Sequence, residues 1–243
     1  MRQWQDKKYW LIGASDGLGA ALAHRMSKAG AHVVVSARSE DKLREVVANL
    51  PSEGSYQTVD VSDDKSVVAA AEAIGQIDGV VYLAGVYWPF GAEEWDAGQA
   101  IAMADINFTG LVRVMGRVVP QFVSRDAGHV VVTGSLSGFR GLPGSIGYTA
   151  SKAGTMSLAE CMYADLRQTG VDVQVANPGF IKTQLTDKND FKMPFIMTPE
   201  EAAETMFQHM NGNKFKKSFP TLFSLVFRGS QFLPDWLYFR IFS

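Results

Sequence analysis

Short, almost wholly apolar runs alternate with longer segments of helical periodicity through most of this chain. The runs are YWLIG at 9–13, HVVVSA at 32–37, SYQTVD at 55–60, DGVVYLAG at 78–85, GHVVVTGS at 128–135 and VDVQVANPG at 171–179. They are rich in β-branched residues, as in strands buried on both faces. The segments between them carry apolar residues at helical spacing. This alternation predicts an α/β fold, a doubly wound parallel sheet with helices on both faces, in one domain spanning residues 1–243.

Composition narrows the class of protein. The formal net charge of −2 gives no reason to expect nucleic acid or an anionic membrane as a partner. The single cysteine, Cys161, has no internal disulfide partner, which fits a reducing compartment. The N-terminal apolar run is too short for a signal peptide, and no run is long enough to span a membrane. We therefore expect a soluble cytoplasmic protein.

The glycine-rich stretch GASDGLG, at 13–19, follows the first predicted strand and opens the first predicted helix. Glycines there allow a tight turn and close backbone approach, and a helix N-terminus attracts a phosphate. A glycine-rich turn can also be a tight turn that binds no ligand, and the glycine spacing here differs from G-x-G-x-x-G. The residues predicted to line a phosphate here are Gly13, Ser15, Asp16, Gly17, Leu18 and Gly19.

The stretch YTASK, at 148–152, places Tyr148 and Lys152 four residues apart on a predicted helix. Residues at this spacing point from the same helix face. They could be unrelated surface residues, or a proton donor and the charge that tunes it, since a nearby ammonium lowers the pKa of a phenol.

Together these motifs resemble those of the short-chain dehydrogenase/reductase family, whose glycine pattern is G-x-x-x-G-x-G. The resemblance runs over residues 9–183 in the family's order. DVSD at 60–63, INFTG at 106–110, TGSLSG at 133–138 and NPGFIKT at 177–183 match further family motifs. Ser135 lies thirteen residues before Tyr148, which is the usual family spacing and favours Ser135 over Ser137.

The resemblance implies a Rossmann-like fold and a hydride transfer between a nicotinamide cofactor and a carbonyl or alcohol. Tyr148 would be the acid/base, with its pKa lowered by Lys152, which also holds the nicotinamide ribose. Ser135 would hydrogen-bond the substrate oxygen, and Asn107 would hold a water that relays protons to Lys152. The further cofactor-binding residues implied are Asp60, Val61, Ala84, Gly85, Pro178, Gly179, Ile181 and Thr183.

Two positions depart from the family pattern. Ile12 stands where Thr is usual, and Tyr82 and Leu83 replace the two asparagines that usually follow strand four. Because losing both partners of a buried polar contact costs less than losing one, we expect these changes to compensate each other. They bear on the geometry near the cofactor and leave the catalytic residues intact.

The end of the second strand predicts which cofactor is used. An acidic residue there would bind the ribose 2′-hydroxyl of NAD, but Ala37 occupies that position and Arg38 and Ser39 follow it. An arginine binds a 2′-phosphate well. Glu40 and Asp41 are expected to start the next helix instead. We predict NADP(H), and no metal, since the four histidines lack ligand spacing.

The resemblance implies that the substrate loop, at about 180–198, and the C-terminal tail, at about 214–243, determine which substrate is bound. Aromatic residues in and around the loop predict either an apolar substrate pocket or part of the core. KFKK at 214–217 is expected to be a solvated charge cluster. The tail from Phe219 predicts two short apolar helices separated by Pro234. We expect it to be, in order of preference, an oligomer arm, a lid over the cleft, or a peripheral membrane contact.

Family resemblance also implies a homodimer or homotetramer, formed through the helices predicted at about 97–124 and 147–169. The expected partner is a small-molecule carbonyl or alcohol substrate. Two alternatives stay open, a 3-oxoacyl carrier-protein reductase and a non-catalytic NADP-sensing regulatory protein. The complete set of Asn107, Ser135, Tyr148 and Lys152 argues against the second.

Overall fold

A computed structural model of the protein describes residues 2–188 and 190–242. The strands of this part of the chain are β1 (Lys8–Ile12), β2 (His32–Ser36), β3 (Gly54–Tyr56), β4 (Gly79–Tyr82), β5 (Gly128–Thr133), β6 (Val171–Pro178) and β7 (Lys216–Phe219). The α-helices are α1 (Gly17–Lys28), α2 (Glu40–Ala48), α3 (Asp64–Ile74), α4 (Ala97–Ala104), α5 (Gly110–Ser124), α6 (Ile146–Leu166), α7 (Pro199–Met210), α8 (Thr221–Ser230) and α9 (Asp235–Phe242).

The strands form one parallel sheet in the order β3-β2-β1-β4-β5-β6-β7. Strand order reverses between β1 and β4, which is where ligands bind in sheets of this kind. The predicted doubly wound parallel sheet is therefore confirmed. The carboxyl ends of β1, β4 and β5 lie side by side at this reversal, together with the segments that follow them.

Two apolar cores flank the sheet, because successive residues of each strand point to opposite faces. On one face, Val80 and Val130 pack with apolar residues of α3, α5 and α6. On the other, Val81 and Val131 pack with apolar residues of α1, α2 and α7. This arrangement explains why the strands are apolar at nearly every position.

A seventh strand was not predicted from the sequence. The expectation that residues 214–217 form a solvated charge cluster is wrong, since Lys216 and Lys217 begin β7, which pairs in parallel with β6. The strand is short and lies at the sheet edge, where lysines are common. The Lys216 Nζ atom lies 2.5 Å from a carboxylate oxygen of Glu160. A pattern search for apolar runs overlooks such a strand.

The predicted helix at 97–124 is interrupted by one turn of π-helix at Asp105–Thr109. The Gly110 N–H donates to the carbonyl of Asp105, five residues earlier. Such a turn inserts one extra residue into the helix and is common at functional sites. Its centre is Asn107, the residue that the sequence assigned to the catalytic set.

The two tail helices, α8 and α9, were predicted on either side of Pro234 and occur there. Their anchor is Arg140, whose Nη1 donates to the carbonyl oxygens of Ser230 and Leu233, each at 2.7 Å. The Tyr238 hydroxyl donates to the carbonyl oxygen of Gly141 at 2.6 Å. In the described part of the chain, the helices are all too short or too polar to cross a bilayer.

Candidate active site

The glycine-rich turn between β1 and α1 is built so tightly that only glycine fits at two positions. Gly13 has a φ of 87°, and a Cβ there would lie 2.4 Å from the Ala84 nitrogen. A Cβ on Gly19 would lie 2.2 Å from the Gly13 carbonyl oxygen. The first turn of α1, beginning at Gly17, therefore presents its backbone N–H groups at the end of β1, where they can receive an anion.

The side chains of this turn divide into two kinds. Leu18 packs toward the apolar core on the α1 side of the sheet. The Asp16 carboxylate lies 3.1 Å from the Lys42 Nζ atom, and Asp16 precedes the first helical residue. Ser15, also predicted to bind phosphate, is half-buried beside it. Leu18 and Asp16 therefore have partners within the protein, and the phosphate binding predicted for this turn would rest on its backbone.

At the end of β2, Arg38 and Ser39 follow the half-buried Ala37, and both are exposed. Helix α2 begins at Glu40, as predicted. The Glu40 carboxylate accepts hydrogen bonds from Arg44, at 2.7 Å, and from the Tyr56 hydroxyl, at 3.0 Å. Glu40 is thus engaged within α2 and β3, and Arg38 is the charged side chain nearest the end of β2.

Asp60 and Val61 lie on the segment after β3. The Asp60 carboxylate accepts from the backbone N–H and hydroxyl of Ser62, at 2.9 and 2.6 Å. These bonds, with a smaller contribution from the Arg38 charge, lower the pKa of Asp60. Val61 is buried, and its carbonyl oxygen accepts from Arg113 at 3.0 Å. Asp60 is therefore a fixed carboxylate near Arg38.

The segment after β4 brings Ala84 and Gly85 next to the glycine-rich turn and the catalytic set. A Cβ on Gly85 would lie 3.4 Å from Asn107 Oδ1 and 3.8 Å from the Lys152 Nζ atom. The unusual residues Ile12 and Tyr82 are register partners in adjacent strands and share one apolar core. Tyr82 keeps a polar contact, since its hydroxyl donates to the Ile106 carbonyl at 2.6 Å. The replacement of the family's polar residues by apolar ones at these positions is thus only partial.

Asn107 is fully buried, and its amide is held on both sides. Its Oδ1 accepts from the Val86 N–H at 2.7 Å, and its Nδ2 donates to the Val86 carbonyl and the Ser151 hydroxyl, each at 3.0 Å. The Ser151 hydroxyl in turn donates to the Tyr148 carbonyl at 2.8 Å. Asn107 therefore joins the segment after β4 to the helix that carries Tyr148 and Lys152.

Ser135 lies two residues after the end of β5 and faces Tyr148. Its Oγ accepts from the backbone N–H of Ser137, at 3.2 Å, and from the Ser137 hydroxyl, at 2.9 Å. Because the Ser135 Oγ is the acceptor in both bonds, its own hydroxyl hydrogen can be donated to another group. Ser135 forms a hydrogen bond with Tyr148 that favours the phenolate. Ser135, rather than Ser137, is therefore placed to act with Tyr148.

Burial raises the pKa of Tyr148 to about 12, and the hydrogen bond from Ser135 opposes this rise. The sequence-based expectation that this pKa lies below its ordinary value is wrong for the protein alone, because burial outweighs the groups that favour the phenolate. The Lys152 Nζ atom lies 5.8 Å from the centroid of the Tyr148 ring and makes its hydrogen bond elsewhere, with the Thr133 carbonyl at 2.9 Å. Tyr148 is thus a neutral phenol near pH 7.

Lys152 is 4% exposed, and burial lowers its pKa to about 8. Its ammonium carries three hydrogens, of which the bond to Thr133 uses one. Tyr148 and Lys152 lie one turn apart on α6, as the spacing predicted. The structure therefore brings all four predicted catalytic residues together at the carboxyl ends of β4 and β5.

The end of β6 and the start of the substrate loop close the other side of the site. Pro178 ends β6, and the Gly179 N–H donates to the Phe219 carbonyl at 2.7 Å. Ile181 is buried in the core. A Cβ on Gly17 would lie 2.8 Å from the Thr183 methyl group. The loop thus meets the glycine-rich turn, so predicted cofactor residues from the first motif and from the last motif are in contact.

Aromatic rings connect the substrate loop with α8. Phe180 lies 5.8 Å from Phe191 and 5.7 Å from Phe223, and Phe195 lies 5.7 Å from Phe223, all between ring centroids. One side of α8 therefore packs on the substrate loop. The three predicted roles of the tail, an oligomer arm, a lid over the cleft and a peripheral membrane contact, stay predictions.

A model of the short chain dehydrogenase family matches residues 7–193. The chain is 35% identical over 236 residues to an uncharacterized oxidoreductase of Myxococcus xanthus (strain DK1622), covering 94% of this chain and 93% of that protein. The chain belongs to the short-chain dehydrogenase family. The family resemblance inferred from the sequence is therefore confirmed.

Solved structures of low sequence identity share the fold of this short-chain dehydrogenase. A short-chain dehydrogenase from Sphingobium yanoikuyae in complex with NADPH superimposes with a TM-score of 0.84 at 22% identity, over 92% of this chain and 91% of that one. An actinorhodin polyketide ketoreductase with NADPH gives a TM-score of 0.78 at 24% identity, over 88% and 95%.

Further residues of this short-chain dehydrogenase complete the site and were not identified from the sequence. Ser151 links Asn107 to α6, and the Thr133 carbonyl holds Lys152. The Tyr87 ring packs edge-on against Tyr148, with 5.1 Å between centroids. Ser151 adjoins Lys152 within YTASK, so the motif could have suggested it. Tyr87 lies in a loop without periodicity, and only the fold brings its ring to Tyr148.

Proposed function

We propose that this protein is an NADP-dependent oxidoreductase that interconverts a carbonyl compound and its alcohol, with Tyr148 as the acid/base. The observation that carries the proposal is the convergence on Tyr148 of three groups, the Ser135 hydroxyl, the Lys152 ammonium and the Asn107 amide network. A serine, a phenol and an ammonium at the mouth of a nucleotide-binding turn are the groups that carbonyl reduction requires. A protein that only senses nucleotide has no need of Ser135.

Each residue has a defined part in this chemistry. A nicotinamide bound at the site would supply or accept the hydride. The Tyr148 phenol gives its proton to the substrate oxygen during reduction, and takes it back during oxidation. This transfer is favourable because the developing alkoxide is a stronger base than a phenolate. Ser135 donates to the same oxygen and stabilises the charge that develops there.

Lys152 acts on Tyr148 through its charge once the phenolate forms. An ammonium a few ångströms away in a buried site favours the phenolate over the phenol. Its remaining hydrogens are suited to a ribose hydroxyl and to a water. Asn107 keeps the segment after β4 fixed against α6, and in the proposed mechanism it also positions the water that returns protons to Lys152.

The residues present fit a nicotinamide dinucleotide. The turn at Gly13, Gly17 and Gly19 is closed too tightly for side chains, so a pyrophosphate would approach its backbone closely and meet the N–H groups of the first turn of α1. Asp60 and Val61 border the expected adenine position. Arg38, exposed and next to Ser39, would bind the 2′-phosphate that distinguishes NADP from NAD. The absence of an acid at Ala37 supports the same choice.

An apolar substrate is favoured by the rings around the cleft. Tyr87 lies against Tyr148, and Phe180, Phe195 and Phe223 connect the substrate loop with α8. Pockets for small molecules are lined mostly by apolar and aromatic side chains with few polar groups. Here the polar groups are those of Ser135 and Tyr148, at the reacting oxygen.

The test is oxidation of NADPH, followed by absorbance, with a panel of ketones, aldehydes and a 3-oxoacyl thioester on its carrier protein. We expect turnover of apolar carbonyls with NADPH, and loss of about 10²–10⁴-fold in rate for Tyr148→Phe with NADPH binding retained. Preference for the carrier-protein thioester would favour the 3-oxoacyl reductase alternative. NADPH binding without turnover of any carbonyl, or a Tyr148→Phe variant within threefold of wild type, would contradict the proposal.

A further inference from the structure

The two tail helices are only half covered by protein. On the covered side, Tyr238 is 1% exposed and Phe223 packs on the substrate loop. On the other side, large apolar side chains face outward, which we call the tail face: Leu222, Leu225, Val226, Phe232, Trp236 and Phe239. Phe232 is 90% exposed, and Trp236 is 69% exposed. Contacts with the rest of the chain therefore bury only one side of the tail.

The tail face has the geometry of an amphipathic surface. Leu222, Leu225 and Val226 share one face of α8, since residues three and four apart lie on the same side of a helix. Trp236 and Phe239 do the same on α9. Soluble monomers rarely expose contiguous apolar patches of this kind, and such patches mark interaction sites.

The tail face is continuous with the substrate loop. Phe223, on the inner side of α8, contacts Phe195 and Phe180, and Phe180 contacts Phe191. Phe191 and Phe195 are themselves more than half exposed. The apolar surface thus extends from α9 and α8 to the loop at the entrance of the candidate active site.

Local charge separates this region from the rest of the chain. Residues 219–243, which include both tail helices, contain two basic residues and one acidic residue, a formal charge of +1, in a chain whose net charge is −2. Arg228 and Arg240 are exposed in the last turns of α8 and α9. The one acidic residue, Asp235, lies 2.5 Å from the Arg140 guanidinium. The tail face is therefore rimmed by positive charge that the whole-chain total conceals.

We propose that the tail face, with Phe191 and Phe195, docks this protein on the surface of an anionic lipid bilayer. Aromatic and aliphatic side chains enter the interface, and Arg228 and Arg240 meet lipid phosphates. The helices lie on the bilayer and do not cross it, in keeping with their length. A second copy of this chain is a poorer occupant, because a two-fold contact would set this positively charged face against another face of the same charge. Docking does not depend on the proposed reaction.

Docking would place the substrate loop at the lipid surface. If the proposed function is correct, a carbonyl compound dissolved in the bilayer could then reach the cleft without crossing water. Binding to vesicles and turnover are separate measurements, so failure of one leaves the other standing.

The test is sedimentation of the full chain with vesicles of phosphatidylcholine alone and of phosphatidylcholine mixed with phosphatidylglycerol, whose charge gives the vesicle a negative surface potential. We expect binding to the anionic vesicles, weakened by salt, with a blue shift of Trp fluorescence that Trp236→Ser reduces. The variant Phe232→Ser/Trp236→Ser should weaken binding about tenfold or more. Both side chains are exposed, so its melting temperature should match that of wild type.

Two further variants separate the causes. Arg228→Gln/Arg240→Gln should reduce the preference for anionic vesicles. Ile101→Ser, at an exposed apolar residue of α4, should leave vesicle binding unchanged. Failure of the wild-type protein to sediment with anionic vesicles would overturn the proposal, as would binding unchanged in Phe232→Ser/Trp236→Ser. The tail face would instead contact a second copy of the chain if two results came together. Wild type would not bind vesicles, and light scattering would show a smaller oligomer for Phe232→Ser/Trp236→Ser than for wild type.

Discussion

The Nζ atom of Lys152 lies 2.9 Å from the carbonyl oxygen of Thr133, inside the protein and one helical turn from Tyr148. Burial lowers the pKa of Lys152 to about 8, below its ordinary value of 10.5. A charge kept at such a site costs stability, and ionisable groups with strongly shifted pKa values are concentrated at functional sites.

The first prediction is that Lys152→Met is more stable than wild type at pH 7 and loses this advantage as the pH rises. Between about pH 8 and 10.5 the unfolded chain holds the Lys152 proton more tightly than the folded chain does, so raising the pH favours the folded state. Below pH 8 the full cost remains, on the order of 3 kcal/mol. Urea unfolding at pH 7, 8.5 and 10 measures the difference between the two proteins.

Losing the hydrogen bond to Thr133 reduces the stability gained by Lys152→Met by the same amount at every pH. The test is therefore how the difference in unfolding free energy between the two proteins changes with pH. A difference that stays constant from pH 7 to 10 would show that Lys152 has an ordinary pKa in the folded protein. The variant should also lose turnover of any confirmed substrate.

The second prediction distinguishes the two serines after β5. Ser135→Ala should lower kcat/KM about 10²–10³-fold, because it removes a donor from the oxygen on which charge develops. Ser137→Ala removes only one of the two bonds that Ser135 accepts, so its loss should stay within a few-fold. Steady-state kinetics of both variants decide the matter, and equal losses would refute the assignment of Ser135.

Periodicity was sufficient to predict most of the sheet, because strands buried on both faces leave a plain apolar record in the sequence. Strand β7 leaves no such record. It is four residues long, begins with Lys216 and Lys217, and exists because β6 offers it an unpaired edge. Its strand conformation is imposed by tertiary pairing, which local composition does not encode.

The candidate site divides in the same way. The motifs that resemble those of the short-chain dehydrogenase family identified Asn107, Ser135, Tyr148 and Lys152, and the fold brings them together. The pKa of Tyr148 was predicted in the wrong direction, because the spacing shows that Lys152 is near but not how deeply the phenol is buried. Ser151 and Tyr87 depend on contacts between segments far apart in sequence, which no single motif contains.

The third prediction concerns the cofactor. Arg38→Ala should weaken NADPH binding by about tenfold to a hundredfold and leave NADH binding nearly unchanged, since only NADPH carries a 2′-phosphate. Arg44→Ala is the matched control, because Arg44 is an exposed arginine whose guanidinium pairs with Glu40. Fluorescence titration with both nucleotides gives the four dissociation constants. A wild-type preference for NADH would remove the basis of the NADP assignment.

The fourth prediction tests the glycine-rich turn. Gly13→Ala should destabilise the protein and abolish nucleotide binding, because Gly13 has a φ of 87° and a Cβ would meet the Ala84 backbone at 2.4 Å. Gly116→Ala, on the exposed side of α5 where no atom lies within 4 Å of a new Cβ, should instead stabilise by up to about 1 kcal/mol. Thermal unfolding with and without NADPH compares them. Normal nucleotide binding by Gly13→Ala would show that the turn is not held as described.

The fifth prediction is that Arg140 anchors the tail. Its guanidinium donates to the carbonyls of Ser230 and Leu233 and lies 4.0 Å above the Tyr238 ring. The ion pair with Asp235 adds little, since the Asp235 side chain is 87% exposed. Arg140→Met should therefore cost mainly the two carbonyl bonds, about 2 kcal/mol, which lowers the melting temperature by about 4–8 °C.

The same variant should release the tail before the rest of the protein unfolds. Limited proteolysis should then cut Arg140→Met within residues 219–243 and leave the sheet intact, because α8 and α9 carry few other polar attachments among the described residues. Arg228→Met, which changes an exposed arginine on α8 itself, should resist protease as wild type does. Equal resistance of Arg140→Met would mean that the Phe223 ring contacts and the burial of Tyr238 hold the tail without its arginine.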